Sequence, residues 1–136
     1  MTVGDPIEIC LYASDLEAAR RFYSEVLGLE VLSHEPGRHV FFRCGRAVFL
    51  IFNPEATSRP SAAGRGPAIP PHGATGSGHV AFSITEAQVH EWRSRLAEKQ
   101  VVVETEVNWP GGGSSIYFRD PAGNSVELTT PETWGL

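Results

Sequence analysis

The sequence has few cysteines and no long hydrophobic run. Only two of its 136 residues are cysteines, Cys10 and Cys44, and they form no CxxC motif. A reduced, cytoplasmic protein is therefore expected. No apolar run approaches the roughly 20 residues that a membrane-spanning helix needs, so no membrane partner is expected. The first ten residues lack a basic segment followed by an apolar one, which argues against a signal peptide.

Positive charge is also scarce. Eleven Lys and Arg residues stand against sixteen Asp and Glu residues, for a net charge of −5, and no basic block is present. Nucleic acid is therefore excluded as the main partner. The hydrophobic fraction of 41% is ordinary for a globular protein, and the length predicts a single domain over residues 1–136.

The first strand is predicted from an alternating pattern over residues 7–13. Its apolar side chains lie on one face, and Glu8, Cys10 and Tyr12 lie on the other. One face is therefore expected to pack on the core, while the opposite face carries a carboxylate, a thiol and a phenol. Cys10 and Tyr12 are expected either to line a pocket beside Glu8 or only to pack.

A helix is predicted over about residues 15–27. Ser14 and Glu17 have the spacing of a capping box, and Gly28 is a typical helix end. Strand-like runs follow at residues 29–33, 40–43 and 47–52. The first module, residues 7–53, therefore reads β-α-β-β-β.

The same pattern returns after a linker, residues 54–77, that is rich in proline and glycine. Residues 79–84 alternate, Thr85 and Gln88 form a second capping box, and a helix is predicted over 86–99. Strands at 101–107, 114–119 and 125–129 complete the second module, residues 78–131. The repeat predicts an α+β fold of two βαβββ modules, with curved mixed sheets and helices outside.

The repeat also aligns three candidate metal ligands. A shift of 71 positions lays Glu8 on His79, and the similarity of residues 45–50 to 123–128 lays Phe49 on Glu127. Glu8, His79 and Glu127 are then expected on the non-helix face of equivalent strands. Two carboxylates and an imidazole suit a divalent metal such as Mn, Fe, Ni, Zn or Co. Phe49, or Leu50 if the register is shifted by one residue, stands in the fourth slot, and neither can ligate.

Three motifs resemble the vicinal oxygen chelate superfamily, which includes glyoxalase I, bleomycin and fosfomycin resistance proteins and extradiol dioxygenases. They are YASDLEAARRFYSEVLGLE (12–30), GHVAFSI (78–84) and YFRDPAGNSVELTTP (117–131). The resemblance covers residues 7–131 and implies metal ligands at Glu8, His79 and Glu127. Glyoxalase I typically has a fourth, acidic ligand, which Phe49 does not supply, and the dioxygenases have His where this chain has Glu8.

The resemblance implies a metal-dependent enzyme of the glyoxalase or dioxygenase type that acts on a small molecule. Substrate oxygens would chelate the metal, an oxyanion or enediolate would be stabilised, and Glu8 or Glu127 would act as the catalytic base. Lyase or isomerase chemistry is the first expectation; epoxide opening and oxygenation come next. The alternative is a metal-free protein that sequesters an aromatic drug or metabolite, like bleomycin resistance proteins.

The remaining expectations concern substrate contacts and assembly. Tyr12, Phe49, Trp109 and Tyr117 are the candidate substrate-binding residues. His72, in the linker, reads as an exposed loop residue, with a substrate or lid contact as the alternative. A homodimer is expected, in which Glu8 comes from one subunit and His79 with Glu127 from the other, although an intrachain site remains open.

Overall fold

The computed structural model describes residues 1–60 and 69–136, which form two compact units, Met1–Gly76 and Ser77–Leu136. Each unit contains one of the predicted modules. Residues 61–68 of the predicted linker lie outside the described residues. None of the helices in the described part of the chain is long and apolar enough to cross a membrane.

The first unit contains a four-stranded mixed sheet and one main helical segment. Its strands are β1 (Glu8–Tyr12), β2 (Glu30–Glu35), β3 (His39–Cys44) and β4 (Ala47–Phe52). Its helices are α1 (Leu16–Arg21), a π-helical continuation (Phe22–Val26) and the short α2 (Pro54–Thr57). The strand order is β1-β4-β3-β2, with β1 parallel to β4 and the other pairs antiparallel.

The core of the first unit lies between this sheet and the helical segment. Tyr23, from the π-helical turn, is fully buried, and its ring lies 4.8 Å from that of Phe49 and 5.6 Å from that of Phe42. Leu11 and Ile51 are buried on the same side. Burying each such side chain contributes about 1.5–3 kcal/mol. The opposite side of the sheet is called the cavity face below.

The second unit repeats this architecture. Its elements are β5 (His79–Ser83), a 3-10 turn (Glu86–Gln88), α3 (Val89–Glu98), β6 (Val103–Asn108), β7 (Ser114–Arg119), β8 (Ser125–Thr129) and a second 3-10 turn (Pro131–Trp134). The strand order β5-β8-β7-β6, with β5 parallel to β8, matches that of the first sheet. The α+β fold of two βαβββ modules, each with a mixed sheet, is therefore confirmed.

One helix start was predicted correctly and the other was not. The capping box at Thr85 and Gln88 is present, and the Thr85 backbone N–H donates to Gln88 Oε1 at 2.9 Å. In the first module the N-cap is Asp15 rather than Ser14, because the Asp15 carboxylate accepts from the Ala18 backbone N–H at 2.9 Å. Aspartate and serine are about equally effective as N-caps. Residue type therefore does not choose between the neighbours Ser14 and Asp15, and the position at which the helix begins decides which of them caps it.

The strand register corrects the predicted equivalence of Phe49 and Glu127. His79 pairs with Ser125 and Ala81 with Glu127, whereas Glu8 pairs with Val48 and Cys10 with Leu50. Leu50, and not Phe49, is therefore the counterpart of Glu127. Successive side chains of a strand point to opposite faces, so an error of one residue moves Phe49 from the cavity face into the core. Fully buried beside Tyr23, Phe49 is not placed to contact a substrate.

Candidate functional site

Glu127 is a nearly buried carboxylate in the second sheet. It lies in the middle of β8, paired with Ala81 on one side and Tyr117 on the other, and is only 7% exposed. The face of the sheet that carries it also carries His79, Tyr117 and Ser125, and is called the polar face below. A carboxylate removed from water in this way needs hydrogen bonds or a cation to offset the loss of solvation.

Glu127 lies next to the imidazole ring of His79. His79 Nε2 lies 3.3 Å from Glu127 Oε2, and the His79 side chain is half exposed, whereas that of Glu127 is 9% exposed. At the other side of the ring, His79 Nδ1 lies 3.2 Å from both the carbonyl oxygen and the hydroxyl of Ser125. A carbonyl oxygen can only accept, so the carbonyl contact favours a proton on Nδ1, whereas the Ser125 hydroxyl can donate or accept.

This tautomer has a consequence for Nε2. In a neutral ring with its proton on Nδ1, the Nε2 lone pair faces a carboxylate oxygen that also bears lone pairs. Two such atoms at 3.3 Å repel each other unless a proton or a metal cation lies between them. A second hydrogen bond that fixes the tautomer is typical of metal-binding histidines. The donor set of His79 and Glu127 therefore fits a divalent cation.

The closing hairpin holds this pair in place. Asp120 Oδ1 accepts from the backbone N–H groups of Ala122 (2.9 Å) and Asn124 (2.8 Å), which closes the turn before β8. Asn124 Oδ1 in turn accepts from the Gly78 backbone N–H at 2.8 Å. Gly78 directly precedes His79, so the turn ties the start of β5 to the start of β8. A buried pair, in which Asn124 Nδ2 donates to Asp120 Oδ2 at 2.9 Å, thus holds the starts of the two strands that carry His79 and Glu127.

Tyr117 lies beside both residues of the pair. Its ring is nearly parallel to that of His79, with an interplanar angle of 22° and 6.4 Å between the ring centroids. The pKa of Tyr117 is raised, first by burial and then by a hydrogen bond to Glu127 and the negative charge of that residue. A phenol that keeps its proton can donate it to the Glu127 carboxylate, which is how Tyr117 contributes to solvating Glu127.

Trp109 is anchored at the end of β6. Its indole N–H donates to Ser115 Oγ at 2.8 Å, and Ser115 Oγ lies 2.9 Å from Thr129 Oγ1. Ser115 is two residues from Tyr117 on β7, and Thr129 is two residues from Glu127 on β8. Residues two apart on a strand share a face, so both hydroxyl groups lie on the polar face. The ring of Trp109 remains partly exposed, which leaves a flat apolar surface beside these polar groups.

Glu8 lies in the first unit, where it lines a cavity of about 710 Å³ on the cavity face. Three further polar residues line it: Cys10, Tyr12 and His72. The expected sharing of one face by Glu8, Cys10 and Tyr12 is thus observed. The apolar part of the wall consists of Leu32, Phe41, Val48, Leu50, Phe52 and Ile69.

His72 differs most from its sequence-based prediction. It is half buried, its Nδ1 lies 2.7 Å from the Tyr12 hydroxyl, and its ring lies edge-on to Phe52 with 4.8 Å between the ring centroids. The expectation of an exposed loop histidine is therefore wrong. Tyr12 and His72 are 60 positions apart, so no local pattern signals the contact.

The predicted ligands divide between the two units. His79 and Glu127 are brought together on the polar face, with Tyr117 beside them, and Glu8 belongs to the cavity face of the first unit. Within residues 1–60 and 69–136, no group of three or more His, Cys, Asp or Glu side chains is arranged to hold a metal ion. Ser125, which fixes the His79 ring, was not predicted, because its role depends on register.

Comparison with known proteins assigns the chain to one family. Residues 6–128 match the model of the Glyoxalase/Bleomycin resistance protein/Dioxygenase superfamily. The chain is 30% identical to metallothiol transferase FosB of Staphylococcus epidermidis over 132 residues, which cover 96% of this chain and 84% of that protein.

Two solved structures place the fold in the same group. The structure of lactoylglutathione lyase from Agrobacterium tumefaciens is 44% identical, with a TM-score of 0.93 and full coverage of both chains. Fosfomycin resistance protein FosX from Mesorhizobium loti is 22% identical, with a TM-score of 0.63 and coverage of 96% of this chain and 93% of that chain. At that identity, the second likeness concerns the fold alone.

Proposed function

Because the chain belongs to the Glyoxalase/Bleomycin resistance protein/Dioxygenase superfamily, we propose that it is a metal-dependent enzyme that acts on a small oxygenated molecule. The observation that carries this proposal is the approach of His79 Nε2 to Glu127 Oε2 at 3.3 Å, with Nδ1 of the same ring 3.2 Å from the Ser125 carbonyl oxygen. A nearly buried carboxylate beside an imidazole offers an oxygen and a nitrogen donor to a shared cation, which would offset the burial of the carboxylate.

Three residues would hold the metal: His79 and Glu127 from the polar face and Glu8 from the cavity face. Mn, Fe, Ni, Zn or Co are all compatible with one imidazole and two carboxylates. When bound, such an ion supplies Lewis-acid polarisation of substrate oxygens. Phe49 is withdrawn as a candidate substrate contact, and Leu50 occupies the position where a fourth ligand would lie.

The chain's own residues supply the proton chemistry. Glu127, whose carboxylate accepts a hydrogen bond from Tyr117, is the proposed base for a proton beside a substrate carbonyl, with Glu8 as the second candidate. Tyr117 and Trp109 bound the polar face around Glu127 and orient the substrate, and Tyr12 does so on the cavity face. Lyase or isomerase chemistry of the glyoxalase type fits this arrangement first. The full-length similarity to a lactoylglutathione lyase supports it.

Group transfer is the enzymatic alternative, supported by the similarity to a metallothiol transferase. Oxygenation has less support, because the set of Glu8, His79 and Glu127 differs from the two-His-one-carboxylate triad of Fe(II) oxygenases.

The proposal extends to assembly and location. We propose a homodimer in which Glu8 of one subunit completes the site formed by His79 and Glu127 of the other. Glu8 and the other two residues belong to different units, an arrangement that is compatible with a site shared between subunits. Both cysteines, Cys10 and Cys44, are free thiols, which supports a reduced, cytoplasmic setting.

Metal content tests the proposal directly. The protein is purified without a histidine tag, and bound transition metal is measured in the parent, His79→Ala and Glu127→Gln. We expect stoichiometric metal in the parent and a loss of metal affinity of about tenfold or more in both variants. Mutating a residue that only hydrogen-bonds to a metal ligand already lowers metal affinity by about 10–100-fold. His90→Ala and Glu98→Gln, which change exposed residues of α3, serve as matched controls and should keep the metal. A parent that binds none of the five metals refutes the proposal.

A second candidate function is metal-free binding of an aromatic drug or metabolite. It is favoured by Leu50, which lines the cavity of the first sheet. At the equivalent position of the second sheet stands Glu127, so the first sheet has an aliphatic side chain where the second has a carboxylate. In that case the metal measurement gives nothing in the parent, and the protein still binds an aromatic ligand.

A further inference from the structure

We propose that the cavity on the cavity face of the first sheet binds an uncharged aromatic group of the substrate. The inference deepens the proposed function and rests on it, because Glu8, a proposed metal ligand, lines the same cavity. It names the class of molecule that this site takes, which the metal ligands alone do not specify.

The size and lining of the cavity suit a small organic molecule. Its volume is about 710 Å³, within the range of roughly 300–1,000 Å³ that is usual for ligand pockets. Leu32, Val48, Leu50 and Ile69 give aliphatic walls, and only a few polar groups converge on it. A mostly apolar concave surface with few polar groups is the usual form of a ligand site.

Aromatic rings line one side of this cavity in edge-to-face order. Phe41 and Phe52 lie at an interplanar angle of 74°, with 5.1 Å between their centroids. Phe52 and His72 lie at 78° and 4.8 Å, and Tyr12 and His72 at 52° and 5.9 Å. Rings in this arrangement present both faces and edges, and a further ring can pack against them with the offset or T-shaped geometry that aromatic pairs prefer.

The described lining of the cavity offers no basic side chain to an anionic group. Of the described residues that line it, none is Lys or Arg. A carboxylate or phosphonate that enters the apolar part of the cavity, away from Glu8 and any cation that Glu8 holds, would lose solvation without a counterion. An uncharged ligand avoids this cost.

The polar end of the cavity carries hydrogen-bonding groups and, among the described residues, neither Lys nor Arg. The Tyr12 hydroxyl and His72 Nδ1 are 2.7 Å apart and share one hydrogen bond. Cys10 lies on the same strand face as Tyr12 and also lines the cavity. Donors and acceptors of this kind recognise a hydroxyl, carbonyl or amide group.

The test compares two probes of the same shape and different charge, 2-naphthamide and 2-naphthoate. Binding of each to the full-length protein is measured by calorimetry after removal of metal with a chelator, so that the anion has no metal to bind. We expect 2-naphthamide to bind about tenfold or more tightly than 2-naphthoate. Phe52→Ala, which removes a ring from the wall, should weaken 2-naphthamide binding.

A variant at the rim separates charge from shape. Leu32 lines the cavity and is 39% exposed, so a long polar side chain is tolerated there. In Leu32→Arg, the affinity for 2-naphthoate should rise to at least the affinity for 2-naphthamide. Leu32→Gln introduces a polar but uncharged side chain and should leave the parent's preference for 2-naphthamide unchanged. Equal binding of both probes by the parent, tighter binding of 2-naphthoate, or binding of neither probe overturns the inference.

These outcomes are distinguishable from failure of the proposed function. A protein that binds metal through His79 and Glu127 but neither probe retains the proposed function and loses this inference. A protein that prefers 2-naphthamide but binds no metal loses the enzymatic proposal, and its cavity then serves the metal-free function.

Discussion

The hydroxyl oxygen of Tyr12 lies 2.7 Å from Nδ1 of His72, and this hydrogen bond joins β1 to a segment 60 positions away in sequence. The His72 backbone N–H also donates to the Thr57 carbonyl oxygen at 3.0 Å, and its ring packs edge-on against Phe52. Three independent contacts thus hold His72 on the cavity face. The residue forms part of the cavity wall.

The coupling between Tyr12 and His72 is measurable by a double-mutant cycle. Tyr12→Phe, His72→Phe and the double variant remove the hydrogen bond and keep both rings. We expect each single variant to lower the free energy of unfolding by about 1 kcal/mol and the double variant to lose less than the sum, because the shared bond is lost only once. Urea unfolding gives the four free energies. Strictly additive losses would show that the two side chains do not interact in solution.

A pair of substitutions tests the register of β4. Phe49→Glu places a carboxylate beside Tyr23 in the core, where no cation offsets its burial, and we expect a loss of more than about 4 kcal/mol or failure to fold. Leu50→Glu places the same side chain on the wall of the cavity, where its carboxylate can reach water, and should cost clearly less.

Thermal or urea unfolding of both variants settles the comparison, with Leu50→Gln as a control for the loss of the aliphatic side chain. If Leu50→Glu proves the more damaging of the two, Phe49 and not Leu50 faces the cavity.

His39 predicts a pH dependence of stability. Burial lowers its pKa, an effect only partly offset by Glu35, whose Oε2 lies 3.7 Å from Nδ1. The unfolded chain, with a His pKa of about 6.5, then binds a proton more readily than the folded one. The stabilising contribution is therefore present above about pH 6.5 and is lost as the pH falls from there toward the lower folded pKa.

His39→Phe should reduce this dependence while keeping the stacking on Phe41, whose ring centroid lies 3.9 Å from that of His39. The free energy of unfolding, measured between about pH 7.5 and 5.5, should change less with pH in this variant than in the parent. His90→Phe, at an exposed position of α3, is the matched control and should keep the parent's slope. An unchanged slope in His39→Phe would assign the pH dependence to other groups.

Elements with strong local signals were predicted well. The alternation of β1 and β5, the Thr85–Gln88 capping box and the order of strands in both modules all appear in the structure. Each depends on interactions within a few residues or on a two-residue period, which sequence displays directly. Errors arose where one residue's offset mattered, as with Asp15 against Ser14 and Leu50 against Phe49.

The sequence by itself determined the two-module α+β fold, the positions of Glu8, His79 and Glu127 on their strands, and the family. Only the tertiary structure decided that the His79 ring lies between Ser125 and Glu127, that Leu50 is the counterpart of Glu127, and that His72 closes on Tyr12. The physical reason is that residue type and period depend on local sequence. Register, tautomer and the docking of a connecting segment depend on contacts between strands and loops far apart in the chain.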